Sequence, residues 1–107
     1  MKYLTLAVAL AAASPAHATM AVFENGNALL ADCLGDNPLF CYGYVEAVAD
    51  AMKLFGQWQR PECPPVDVSA RQVRDVVVNF LLAHPADRHY AAASIVVNAL
   101  KNAWGCE

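Results

Sequence analysis

The sequence predicts an all-α fold: a small disulfide-stabilised domain of four helices with a long Pro-rich crossover between helices 2 and 3. Three observations carry this. Apolar residues recur at helical spacing in four segments, capping residues stand at the ends of those segments, and four cysteines lie in the chain beyond residue 18.

The first 18 residues read as a secretory signal rather than as part of the fold. Lys2 gives a positive start, Tyr3 to Ala13 is an apolar run broken by Thr5, and Ala16-His17-Ala18 places small residues where a signal peptidase reads them. Residues 1–18 are therefore expected to be removed, leaving one domain, residues 19–107, in the periplasm. Taking 18 from 107 residues leaves 89, with six basic against ten acidic side chains and a net charge of −4. More than half of these residues are apolar, too rich a content for a disordered segment. Every apolar run after Ala18 is interrupted by charged or amide residues, so no membrane span is expected. The basic residues are scattered singly, as in Arg74-Asp75 and Asp87-Arg88, which argues against a nucleic-acid partner.

Asn25 or Asn27 opens the first helix, within Phe23 to Leu34. Leu29, Leu30 and Cys33 fall on its buried side, and Gly35 is expected to end it in a left-handed conformation. Asn37-Pro38 starts the second, in which Cys41, Tyr44, Val45, Val48, Ala49, Met52 and Phe55 form one stripe ending near Gly56. Gln57 to Val68 contains Pro61, Pro64 and Pro65 and reads as a linker, since proline fits neither a helix interior nor a central strand. Ser69 with Gln72 is a capping box for the third helix, with Val73, Val76, Val77, Phe80 and Leu81 inward, and His84-Pro85 stops it. The β-branched run at 76–78 could suit a strand, but the segment is too long and lacks period-two alternation. The fourth helix runs from about Tyr90 to Ala103 on Ile95, Val96, Ala99, Leu100 and Ala103, with Gly105 beyond it.

Cys33, Cys41, Cys63 and Cys106 form an even set in a small exported domain, which points to two disulfides. The connection through Cys63 is long enough to return to the start of the second helix. This favours Cys41 with Cys63 and Cys33 with Cys106, with all three pairings open on sequence alone. A zinc site is disfavoured because no pair has close Cys-x2-Cys or His-x3-His spacing. No metal and no cofactor are expected.

Nothing assembles an active site. Ser69 reads as a helix cap and Ser94 as a helix residue among alanines, while oxidised cysteines are not nucleophiles. The cluster His84-Pro85-Ala86-Asp87-Arg88-His89 reads as a helix–helix corner before it reads as a metal or pH site. The chain is accordingly expected to act by binding, without catalysis. Two surfaces are candidates for that role, and the linker is favoured: Trp58 and Arg60 are expected to contribute more to partner affinity than the helix-face charges. One is the linker, whose Trp58 and Arg60 are residue types common at energetic centres of interfaces, although Trp58 could equally fold back onto the core. The other is the acidic face of the second helix around Glu46 and Asp50, suited to a basic patch.

The ordered motifs resemble one family across almost the whole mature chain. They are Asn-Gly-Asn-x-Leu-Leu-x-x-Cys at 25–33, Phe-Cys-x-Gly-Tyr-Val at 40–45 followed by Asp50, Cys63-Pro64, and Gln72-Val73 leading into Val76 to Leu81. His84-Pro85 with Arg88-His89, and Ala99-Leu100 running to Cys106, complete the set. Together these are similar to the Rap/Tai immunity proteins, in which the characterised members are periplasmic, helical, disulfide-containing proteins that block a peptidoglycan amidase delivered by type VI secretion. Trp104-Gly105 departs from the pattern, where the family usually has an aromatic and a proline before the last cysteine. The resemblance implies an amidase inhibitor with a cell-wall amidase effector as its partner, and a second copy of the chain, as a homodimer, is a further candidate partner. The alternative is an acid-stress or folding chaperone of the HdeA type, which shares the small exported helical plan but would be expected to carry more lysine.

Overall fold

The computed structural model describes residues 22–58, 60 and 63–104; the expected signal, Gly105 and Cys106 lie outside the described residues. Among the described residues four helices form: α1 (Gly26–Leu34), α2 (Leu39–Leu54), α3 (Ala70–Ala83) and α4 (Ala92–Trp104), with a 3-10 turn at Pro85–Asp87 between the last two. α2, α3 and α4 pack mutually and α1 lies against all three. No strand occurs among the described residues, where the only β-type pairing is an isolated antiparallel bridge between Asn25 and Ala91. The all-α architecture read from the sequence is the one observed.

The first turn of α1 is satisfied almost entirely by other parts of the chain. Asn25 is the N-cap, its Oδ1 accepting from Ala28 N at 2.9 Å. Gly26 N donates to Tyr90 O at 3.0 Å and Asn27 N to Arg88 O at 2.8 Å, so two N–H groups without intrahelical partners are met by the corner before α4. Ala92 N donates to Glu24 O at 3.0 Å. This use of Tyr90 and Ala91 explains why α4 begins at Ala92 rather than at the expected Tyr90: their backbone is committed to docking α1. The approach is close enough that glycine is required at 26, where a Cβ would lie 2.6 Å from Ile95 Cδ1 and 2.8 Å from Arg88 O.

α1 does not end as expected. Gly35 is extended (φ −76°, ψ 175°), not left-handed, and a Cβ there would stand 3.2 Å from Ala31 O. The chain leaves α1 without a reversing cap and turns through Asn37, whose Oδ1 accepts from Leu39 N at 3.4 Å. Cys33 and Cys41 close this corner with a disulfide, 4.9 Å between Cα atoms. The expected Cys41–Cys63 and Cys33–Cys106 pairs are thus replaced. The α1–α2 corner already brings its two cysteines to bonding distance, so the linker does not need to return there. Cys63 is buried and also disulfide-bonded.

α2 ends in a Schellman arrangement, with Gln57 N donating to Met52 O, Gly56 N to Lys53 O, and Gly56 at φ +64°. α3 opens with the capping box, Gln72 N to Ser69 Oγ at 3.2 Å and Ser69 N to Gln72 Oε1 at 2.8 Å. The run Val76 to Val78 is helical within it.

The core takes Leu29, Leu30 and Cys33 from α1, Cys41, Val45 and Met52 from α2, Val73, Val77 and Leu81 from α3, and Ala92, Ile95, Val96, Ala99 and Leu100 from α4. No charged or polar residue is buried among the described residues. Phe55 and Ala103, expected inside, are exposed, Phe55 just past the end of α2 and Ala103 in the last turn of α4. Each fully buried Leu, Val or Met contributes about 1.5–3 kcal/mol.

Two predictions follow from these contacts. Gly26→Ala is expected to lose about 1–3 kcal/mol by overpacking. Gly43→Ala, mid-helix with nothing within 4 Å of the added Cβ, is expected to gain about 0.5–1 kcal/mol. Denaturant unfolding of both variants measures the contrast, and effects of the same sign would contradict the packing described. Non-reducing peptide mapping is expected to recover Cys33 joined to Cys41, a short loop whose closure contributes about 2–3 kcal/mol; a Cys41–Cys63 peptide is the contrary result.

Candidate partner-binding groove

α2 turns its outer face to the linker. Glu46, Ala49, Asp50 and Lys53 follow one another at steps of three, one and three, which places them on one helical face. Opposite them lie Pro64, Pro65, Val66 and Val68, with Ala70 and Val73 from the start of α3 completing a groove of about 500 Å³. Two surfaces that compete in the sequence reading are therefore walls of a single groove: the acidic face of α2 and the Pro-rich linker.

The linker wall is held from behind. Cys63 is buried and disulfide-bonded, its N–H donating to Arg60 O at 3.1 Å. Val68 N donates to Pro65 O at 3.2 Å, closing a turn immediately before the Ser69 cap. Trp58 is part of the core, 6 % exposed, so it folds back beneath the linker and does not project from it. Arg60 is exposed and does not line the groove. The residue that does project is Val66, fully exposed at 102 % in the turn. Its signal in the sequence was a valine within a Pro-Pro-Val-Asp turn, where an outward apolar residue has no packing reason. Glu46 and Asp50 are exposed, and neither is in an ion pair among the described residues, where the pair observed is Arg74 with Asp75.

The other candidate chemistry resolves into structure. Ser69 Oγ caps α3 and Ser94 Oγ donates to Ala91 O at 2.8 Å. His84 stacks on Phe80 with centroids 4.0 Å apart, its Nδ1 2.8 Å from Phe80 O, and His89 lies on Tyr90 at 4.1 Å. The histidine-containing segment is thus a helix–helix corner. No group of three or more His, Cys, Asp or Glu is placed to hold a metal ion among the described residues. None of the described helices is long and apolar enough to cross a membrane.

A family model described as Rap1a immunity proteins matches residues 25–106. The chain belongs to the Rap1a immunity protein family. That match spans all four helices and the linker, so the groove lies inside the family's domain rather than on an appendage. No curated protein and no solved structure matches the chain. Membership in the Rap1a family carries with it the class of an immunity protein directed at a secreted effector.

Behind the α1 docking site lies a carboxyl pair with a consequence for stability. Partial burial, the Asp32 charge and a hydrogen bond with Asp32 raise the Glu24 carboxyl above the ordinary glutamate range. Partial burial and the Glu24 charge push the Tyr44 phenol up as well, opposed by a hydrogen bond to the Ala93 backbone. The folded state holds the Glu24 proton more tightly than the unfolded chain does. Its stabilising contribution is therefore full below the unfolded glutamate pKa and is lost as pH rises through the raised folded value. Glu24→Gln is expected to match the wild type in acid and to exceed it near neutrality. Unfolding at about pH 4 and about pH 7 reads this, and an identical difference at both pH values would count against the pair.

Proposed function

We propose that the protein acts in the periplasm, where it binds and neutralises a cell-wall amidase effector and catalyses no reaction of its own. The observation that carries this reading is the family match over residues 25–106, almost the whole mature domain. The amidase as target is supported by the likeness to the characterised Rap/Tai proteins. The periplasmic setting is supported by the signal-like residues 1–18 and by the disulfide between Cys33 and Cys41, since disulfides persist in oxidising compartments. Action by binding fits the side chains themselves: the serines are in helix-terminal hydrogen bonds and His84 is stacked against Phe80. An inhibitor of a periplasmic hydrolase must share its compartment, so export belongs to the mechanism.

The test places type VI-delivered peptidoglycan amidases in the periplasm of a bacterium. The full chain is expected to restore growth against at least one of them, and a chain lacking residues 1–18 to fail. The purified mature protein should inhibit the same enzyme stoichiometrically. Failure to bind any such amidase, together with suppressed aggregation of an unfolded client at low pH, would overturn this reading in favour of a chaperone.

A further inference from the structure

We infer that the groove between α2 and residues 64–68 takes a lysine- or arginine-bearing loop of the protein's partner, the cationic head between Glu46 and Asp50 and the aliphatic stem against Pro65, Val66 and Val68. The partner's identity rests on the neutralisation reading; the chemistry of the groove does not.

The groove is amphipathic in the same sense as those two side chains. Lysine and arginine carry an apolar stem of three or four methylenes beneath a charged head, and they bury the stem wherever the head finds water or a counter-charge. Here the linker wall supplies proline and valine surface, and the α2 wall supplies two carboxylates one helical turn apart. Cβ atoms at that spacing are about 5–6 Å apart, within reach of a single guanidinium. Neither carboxylate is in an ion pair among the described residues, and neither caps a helix, so both are open to an incoming cation. The volume, about 500 Å³, is enough for a few side chains of a projecting loop and falls in the usual range of ligand clefts.

Rigidity adds to the case. The linker wall is fixed by buried Trp58, by buried and disulfide-bonded Cys63, by the Pro65–Val68 turn and by the Ser69 cap, so little of it must be ordered on contact. Val66, held fully outward at the mouth, is the one large apolar side chain of this wall that meets solvent before the partner arrives. The net negative charge, −3 for the full chain, gives the surrounding field the sign that attracts the proposed occupant.

The experiment has two arms. In the first, the ¹⁵N-labelled mature protein is titrated with acetyl-Leu-Arg-Ala-Lys-Leu-amide and with the same peptide carrying glutamine at both cationic positions. Shifts are expected at Ala49, Asp50, Val66 and Val68 with the cationic peptide alone, and to vanish in the Glu46→Gln/Asp50→Asn variant with its circular dichroism unchanged. Equal shifts from both peptides, or shifts on another face, overturn the groove. In the second arm the amidase identified above is titrated with wild type, with the double variant, with Val66→Ser and with Phe55→Ser on the α2–α4 side. The double variant is expected to lose about tenfold or more in affinity and most of the salt dependence. Val66→Ser should weaken binding and Phe55→Ser should leave it unchanged. An amidase bound equally by wild type and double variant refutes the groove while neutralisation stands. If no amidase binds, neutralisation fails and the peptide arm alone decides the groove.

Discussion

The bundle depends on how the first turn of α1 is seated. A nine-residue helix is too short to be stable alone, and its leading N–H groups must find acceptors. The corner before α4 supplies them through Arg88 O and Tyr90 O, and Ala92 N returns a bond to Glu24 O. Gly26 makes that approach possible by having no side chain to collide with Ile95 or Arg88. Once α1 is fixed there, Cys33 is fixed too, and its bond to Cys41 sets where α2 starts. The face that α2 turns outward, with Glu46 and Asp50 on it, is a consequence of contacts made at the other end of α1.

The same economy shapes the linker. Its two residues best suited to hydrophobic burial, Trp58 and Cys63, go into the core and leave Pro65 and Val66 exposed. A Pro-rich connection is already a stiff spacer, and the burial of Trp58 and Cys63 just before residues 64–68 ties that segment to the core as a wall. The polar and apolar halves of the groove come from different elements, so neither helix periodicity nor linker composition alone reveals their meeting.

This is also where legibility in the sequence ends. Helix periodicity and caps gave α1 to α4 to within a few residues, because Asn25, the Ser69–Gln72 box and Gly56 act through local hydrogen bonds that the sequence spells out. The departures have different causes. The start of α4 is non-local, because α1 borrows the backbone of Tyr90 and Ala91, whereas the cysteine pairing is local: Cys33 and Cys41, eight residues apart, meet across the α1–α2 corner, and an argument from the length of the linker passes over that corner. Trp58 illustrates the limit most clearly. The sequence offered burial and exposure as equal outcomes, and only the surrounding helices decide for burial. Glu46 and Asp50 were legible as a face but not as one side of a cleft.

Among the residues that carry the family resemblance, most have evident structural duties. Leu29, Leu81 and Leu100 are buried, Cys33 and Cys41 form the disulfide, and Asn25 caps α1. Asp50 differs. It is exposed, caps nothing and makes no ion pair among the described residues, and it stands in the groove. A surface carboxylate of that kind adds little to stability, and beside Glu46 it costs a small like-charge repulsion. A cation arriving between the two would relieve that repulsion while its stem covers Val66, so one event would remove the two unfavourable features of this surface together. On the proposed reading, the free domain holds this face in a slightly penalised state that a cationic side chain of the partner would relieve.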